Sequence, residues 1–148
     1  MKPNKAKPTK KKPETVSQLK KKAWVLFSQY IRLRDCLRTT GTTAFALCIT
    51  CGKRYHYKVL QAGHFIPGRH NNNLFNPRGC HAQCYNCNIN LKGNTLVYRR
   101  AIIDLYGPGA DVELEDQDKV VRQWRPNELK ELIEELKADI KKLEGHCT

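Results

Sequence analysis

Two cysteine pairs, Cys48-Ile-Thr-Cys51 and Cys84-Tyr-Asn-Cys87, constrain this chain more than anything else in it. Two thiolates separated by two residues on a tight turn can face one tetrahedral ion. Gly52 and Asn88, which follow the pairs, are residue types that tolerate a left-handed backbone at low cost. A four-cysteine structural zinc site is therefore expected. In a 148-residue chain, the size of one small domain, such a site decides folding, since structural zinc contributes on the order of 10 kcal/mol. No apolar run approaches the roughly 18 residues of a membrane span. Met1–Lys12 is lysine-rich and lacks the apolar core of a secretory signal. A cytoplasmic setting follows as an expectation, and there paired cysteines bind metal more often than they form disulfides. Cys80 lies four residues before Cys84 but lacks a CxxC partner, so it reads as a spare core thiol that competes on spacing alone. Cys36 and Cys147 fall outside the pattern.

The formal net charge of +13 points to a polyanion, most simply nucleic acid. Its distribution says more. Residues 1–22 hold nine lysines and one acid, and residues 36–103 hold nine Lys or Arg and no Asp or Glu. Residues 104–148 hold seven Lys or Arg against twelve acids. The cysteine pairs thus sit in a segment where nothing repels a phosphate backbone.

Residues 1–14, with Pro3, Pro8 and Pro13 among lysines, read as a disordered basic tail suited to salt-sensitive attraction to DNA. Thr15 and Gln18 fit a capping box that opens a helix. Its apolar stripe is Leu19, Ala23, Leu26, Tyr30, Leu33 and Leu37, expected to pack on the zinc core or on a partner. Residues 39–47 read as a loop, 53–66 as a β-hairpin and 67–78 as a further loop. A helix is expected from Asn94 to Tyr106, with Gly107 as its stop. Residues 108–120 read as an acidic connector. A last helix, about 127–143, carries the stripe Leu129, Ile133, Leu136, Ile140 and Leu143, which packs on the domain or forms a homodimer.

The cysteine pairs are separated by 32 residues, where an ordinary zinc ribbon has about 15–20. The excess holds His56, His64, His70 and His81. In order the chain reads CxxCG, Ala62-Gly63-His64-Phe65, Phe75-Asn76, His81-Ala82-Gln83-Cys84-x-x-Cys87-Asn88, Leu91-x-Gly93-Asn94 and Tyr98-Arg99, with Tyr30-Ile31-Arg32-Leu33-Arg34-Asp35 upstream. Over residues 19–107 this combination resembles the NinG (Rap) recombination endonucleases of lambdoid phages. More broadly it resembles the HNH, or ββα-metal, nucleases, including phage members in which a four-cysteine zinc braces the motif and an Asn follows the last Cys.

The resemblance implies an α+β fold: a small zinc-braced ββα-metal core over residues 15–107, flanked by N- and C-terminal helices, with residues 108–148 as connector and packing helix. It implies a metal-dependent DNA endonuclease acting on branched recombination intermediates. His64 would be the general base, since a neutral imidazole titrates near neutral pH and can accept a proton from water. Asn88 would hold the catalytic metal through its amide oxygen, with His81 and Asp35 as further candidate ligands. Mg²⁺ or Mn²⁺ is the expected ion. Many HNH enzymes place Asp before the base His, and here that residue is Gly63, so any carboxylate on the metal must come from a flanking helix. Arg69, His70, Arg78, Lys92, Arg99 and Arg100 are candidate DNA contacts. The competing expectation is a non-catalytic zinc-ribbon protein that binds DNA as a recombination accessory.

Overall fold

The computed structural model describes residues 6–68 and 72–146. Residues 6–15 have no regular structure and are exposed. Helix α1 then runs over Val16–Thr40. It opens on the expected capping box: the Gln18 N–H donates to Thr15 Oγ1 (3.2 Å) and the Thr15 N–H donates to Gln18 Oε1 (2.9 Å). It closes on Gly41 at φ 73°, where the left-handed cap favours glycine.

Two short antiparallel sheets follow. Strand β1 (Phe45–Leu47) pairs with β2 (Arg54–His56), and β3 (Gln61–His64) pairs with β4 (Cys80–Gln83). This corrects the expected hairpin over 53–66 and the expected loop over 39–47. The reason is local. The His56 side chain accepts the Lys58 N–H (3.1 Å) and caps a single 3₁₀ turn over Tyr57–Val59, so β2 cannot fold straight back onto β3. Tyr55 and its neighbours turn to the cysteine knuckle instead, and β3 takes its partner from across residues 65–79.

A π-helical turn over Asn86–Asn90 begins inside the second cysteine pair, and α2 follows over Thr95–Tyr106, with Gly107 as its cap. Residues expected to form a connector are helical: α3 spans Ala110–Asp118. Asp111 and Glu113 lie in its first turn, where the helix dipole favours carboxylates. Helix α4 covers Pro126–Gly145.

The helices cover opposite sides of the β3–β4 pair. Strand alternation sends Ala62, Ala82 and Cys80 to the α1 side and Gly63, His81 and Gln83 to the α2 side. The larger core joins Leu19, Ala23, Phe27 and Ile31 of α1 to Leu129, Ile133 and Leu136 of α4. The predicted α1 stripe is displaced: Phe27 and Ile31 are buried, whereas Leu26 and Tyr30 are only half-buried. A four-residue spacing drifts around the helix, and α1 changes partners along its length, from α4 to the strands. The α4 stripe is taken up within the chain by α1. Each such Leu, Ile or Phe contributes about 1.5–3 kcal/mol by leaving water. A smaller core of Phe65, Tyr98, Ile102, Ala110 and Leu114 lies under α2 and α3. No helix among the described residues is long and apolar enough to cross a membrane.

Candidate metal centre and acid-free cleft

The sulfurs of Cys48, Cys51, Cys84 and Cys87 all lie within 4.8 Å of one another. Cys51 Sγ and Cys84 Sγ are 3.9 Å apart. A tetrahedral zinc with Zn–S near 2.3 Å sets its sulfurs about 3.8 Å apart, so the four thiols are positioned for a structural metal such as zinc. The Cys84 N–H donates to Cys48 Sγ (3.3 Å), Cys87 N–H to Cys84 Sγ (3.4 Å), and the Asn94 side chain to Cys87 Sγ (3.7 Å). Such donors favour thiolates, whereas burial, followed by the neighbouring cysteine sulfurs, pushes the Cys51 thiol up to about 12 and the Cys87 thiol up as well. At Cys48, burial raises the thiol pKa, but the Thr50 hydroxyl and backbone N–H groups outweigh it and bring it down to about 7. Cys80 is fully buried and outside the cluster, where desolvation holds its thiol far above the ordinary range. Cys36 is likewise buried, its thiol pushed up to about 11 by burial and then by Asp35. Cys147 lies outside the described residues.

Beside this centre is an open cleft of about 890 Å³. His64, at the end of β3, and Asn88, on the π turn that begins inside the second cysteine pair, both line it. Its charged lining residues are Arg32, Lys58 and Lys92, with no carboxylate among the described residues. The His64 ring stacks on Trp24 of α1, with centroids 5.1 Å apart and planes 23° apart. Its Nε2 lies 3.0 Å from the Leu74 carbonyl. A carbonyl only accepts, so Nε2 is the donor in this contact. Asn88 Nδ2 donates to Gln61 Oε1 (2.7 Å). Lys92 is held in the left-handed region at φ 50°, a conformation that costs a non-glycine residue about 1–3 kcal/mol.

Two candidate metal ligands are corrected. His81 is fully buried on the opposite side of the strand pair, and both ring nitrogens are engaged. The Tyr98 hydroxyl donates to the Gly63 carbonyl (2.6 Å), so it accepts from His81 Nδ1 (3.0 Å), and Tyr106 donates to His81 Nε2 (2.7 Å). This chain of hydrogen bonds holds the strand residue just before His64. Asp35 is also fully buried. Its Oδ1 accepts from Arg34 (2.9 Å) and Arg38 (3.4 Å), and its Oδ2 from the Ala82 N–H (2.6 Å). Neither residue reaches the cleft. Among the described residues, no other group of three or more His, Cys, Asp or Glu is arranged for a metal.

The candidate DNA contacts divide. Lys92 lines the cleft, and Arg100 is exposed on α2. Arg99 pairs with Asp111 (2.7 Å) and with Glu115, and Arg78 faces Glu113 (3.9 Å) while lying over the Tyr106 ring. Helix α3 thus neutralises both, which the reading of an acidic connector did not foresee. Arg69 and His70 lie outside the described residues. His56 caps its turn at the surface. Missed by the sequence reading were Trp24, Arg32, Lys58, Gln83 and the two tyrosines on His81. Trp24, Ser28 and Arg32 recur every four residues beside the apolar stripe, a signal that was present.

His81 makes a pH prediction. Burial, the largest influence, pushes its pKa down to about 3; Asp35 opposes this, and Arg34 and Arg38 add to it. The unfolded chain protonates this histidine near pH 6.5 and the folded one does not. Its contribution to stability is therefore complete above pH 6.5 and lost as pH falls from 6.5 toward 3, at about 1.4 kcal/mol per pH unit. Denaturant midpoints from pH 7 to 4.5 are expected to fall more steeply in the wild type than in His81→Gln. Parallel curves would refute this origin.

A family model described as Bacteriophage Lambda NinG protein matches residues 2–146. No curated protein and no solved structure matches the chain.

Proposed function

Because the chain belongs to the family of the bacteriophage lambda NinG protein, we propose that it is a metal-dependent DNA endonuclease, with His64 as general base and branched recombination intermediates as the substrate class. The observation that carries this reading is the sharing of one acid-free, cation-lined cleft by His64 and Asn88. In it, Arg32, Lys58 and Lys92 attract the phosphate backbone without sequence preference. Arg32 is itself anchored, its Nε donating to the Ser28 carbonyl (3.1 Å) and its guanidinium lying over the Tyr57 ring. The Trp24 stack and the Leu74 carbonyl hold the His64 ring in one orientation and one tautomer. Nδ1 takes the proton from a water whose oxygen attacks phosphorus, and the bond to the leaving sugar oxygen breaks. A divalent cation held by the Asn88 amide oxygen would supply Lewis acidity at the scissile phosphate. The four-cysteine centre lies next to Asn88 and holds that turn rigid, as a structural zinc does.

The test is cleavage of branched and linear DNA by pure protein with Mg²⁺ or Mn²⁺, beside His64→Ala. Wild-type cutting and a loss of about 10²–10⁴-fold in the variant are expected, the usual worth of a positioned base. Intact substrates with the wild type, or equal cutting by the variant, would sink the reading. The engagement of His81 and Asp35 elsewhere favours the second reading, a zinc-braced DNA-binding accessory without chemistry. One tight ion per chain with DNA affinity but no cation-linked cleavage would select it.

A further inference from the structure

One buried polar atom on the α2 side of the strand pair has no partner. Gln83 is fully buried on β4, and its Oε1 accepts no hydrogen bond. The amide cannot be turned over to cure this. Its Nε2 donates to the Gly93 carbonyl (2.9 Å) and to Thr50 Oγ1 (3.2 Å). Reversal would set Oε1 against the Gly93 carbonyl oxygen. An unpaired buried carbonyl costs about 1–3 kcal/mol, and such an atom calls for an explanation, among them an ion.

The place it points to is informative. A Cβ added to Gly63 would meet Gln83 Oε1 at 2.0 Å and Asn88 Oδ1 at 3.1 Å. Both amide oxygens therefore lie beside Gly63, no further apart than the sum of those distances. Gln83 Oε1 has no N–H against it, and a second carbonyl dipole nearby adds repulsion unless something positive lies beside them. In the wider nuclease pattern, residue 63 is the aspartate that binds the metal. Here glycine leaves that room, and an oxygen from the neighbouring strand fills it.

We propose that Gln83 Oε1 and Asn88 Oδ1 together form an oxygen-donor site for a hard divalent cation, Gln83 supplying from β4 the ligand that residue 63 lacks. Hard cations such as Mg²⁺ and Mn²⁺ accept amide oxygens and complete their shell with water and phosphate oxygens. Both donors are neutral, and no acid lines the adjoining cleft. The site therefore binds weakly alone and gains its negative charge from the nucleic acid. The assignment rests on the nuclease reading for the ion's role, but the ion's position can be tested separately.

The probe is Mn²⁺ titrated into the zinc-loaded full chain. In the wild type, the side-chain amide NMR signals of Gln83 and Asn88 are expected to broaden away at substoichiometric Mn²⁺, before backbone signals of α4. Gln83→Glu, which adds charge at nearly constant shape, is expected to lower the Mn²⁺ dissociation constant tenfold or more, read from the free-ion EPR signal. The NMR readout needs no variant, so a misfolded Gln83→Glu would not rescue the idea. Persistence of the two amide signals, absence of saturable Mn²⁺ binding, or an unchanged constant in folded Gln83→Glu would overturn the site. Cation binding at Gln83 without DNA cleavage would leave the site standing and remove the nuclease. Cleavage with Mn²⁺ broadening elsewhere would do the reverse.

Discussion

Stripping the metal from the four-cysteine centre with a strong chelator, or replacing Cys84 by Ser, is expected to unfold the strand region of the protein. The apolar cluster around the centre is Cys48, Cys84 and Cys87 themselves, with Tyr55 packed against them, and the strands add only a small cluster of Cys36, Ala46, Leu60 and Ala82. Strands β1 and β2 have three residues each, too few to hold a two-stranded sheet in water. The cysteines also tie the 48–51 turn to the 84–87 turn, closing a loop of 32 intervening residues. A structural zinc site is worth on the order of 10 kcal/mol, and a whole small domain is stable by about 5–15 kcal/mol. Loss of the ion therefore removes most of the margin. Near-ultraviolet circular dichroism should collapse on chelation and recover with Zn²⁺, while part of the α1–α4 helical signal survives. A thermal transition indifferent to chelator would contradict this.

Asp35→Ala is expected to destabilise the fold by about 3–5 kcal/mol, the range for a buried ion pair that loses one partner. Arg34 would remain committed, donating to the Pro77 carbonyl (2.6 Å) and the Cys80 carbonyl (2.8 Å), with no carboxylate beside it. Asp35 raises the pKa of Arg34 against the lowering by burial. The Ala82 N–H, on the outer edge of β4, would lose its only named acceptor in a buried setting. Asp35→Asn keeps one acceptor for that N–H and should cost less than the alanine. Urea midpoints of the three proteins order them. Equal midpoints would show that Asp35 does not hold α1 to β4, and a changed Mn²⁺ constant in a folded Asp35→Asn would return the residue to the metal.

Helices α1, α2 and α4 were legible because their signals are local. Thr15 with Gln18, Gly107 and the α4 stripe each lie within a few residues of what they control. The cysteine cluster was legible because metal geometry converts spacing into contact. Strand pairing was not: β1–β2 and β3–β4 depend on His56 capping a turn and on a partner found across residues 65–79. Helix α3 was obscured by its acids, which only the facing Arg78 and Arg99 make favourable. The roles of His81 and Asp35 were misread for a related reason. A His or an Asp in a motif looks the same in sequence whether it faces a cleft or a core, and one residue of strand register decides which.

Residue identity and short spacing were enough for the cysteine cluster, the basic acid-free segment, helices α1, α2 and α4, and membership of the family. Which polar groups face the cleft depended on the packed fold. Strand alternation turned His64 toward Trp24 and His81 toward two tyrosines. The missing side chain of Gly63 gained meaning only when Gln83, twenty residues later in the chain, proved to occupy its place. Burial and orientation are properties of neighbours, and those neighbours are set by long-range pairing that no local pattern encodes.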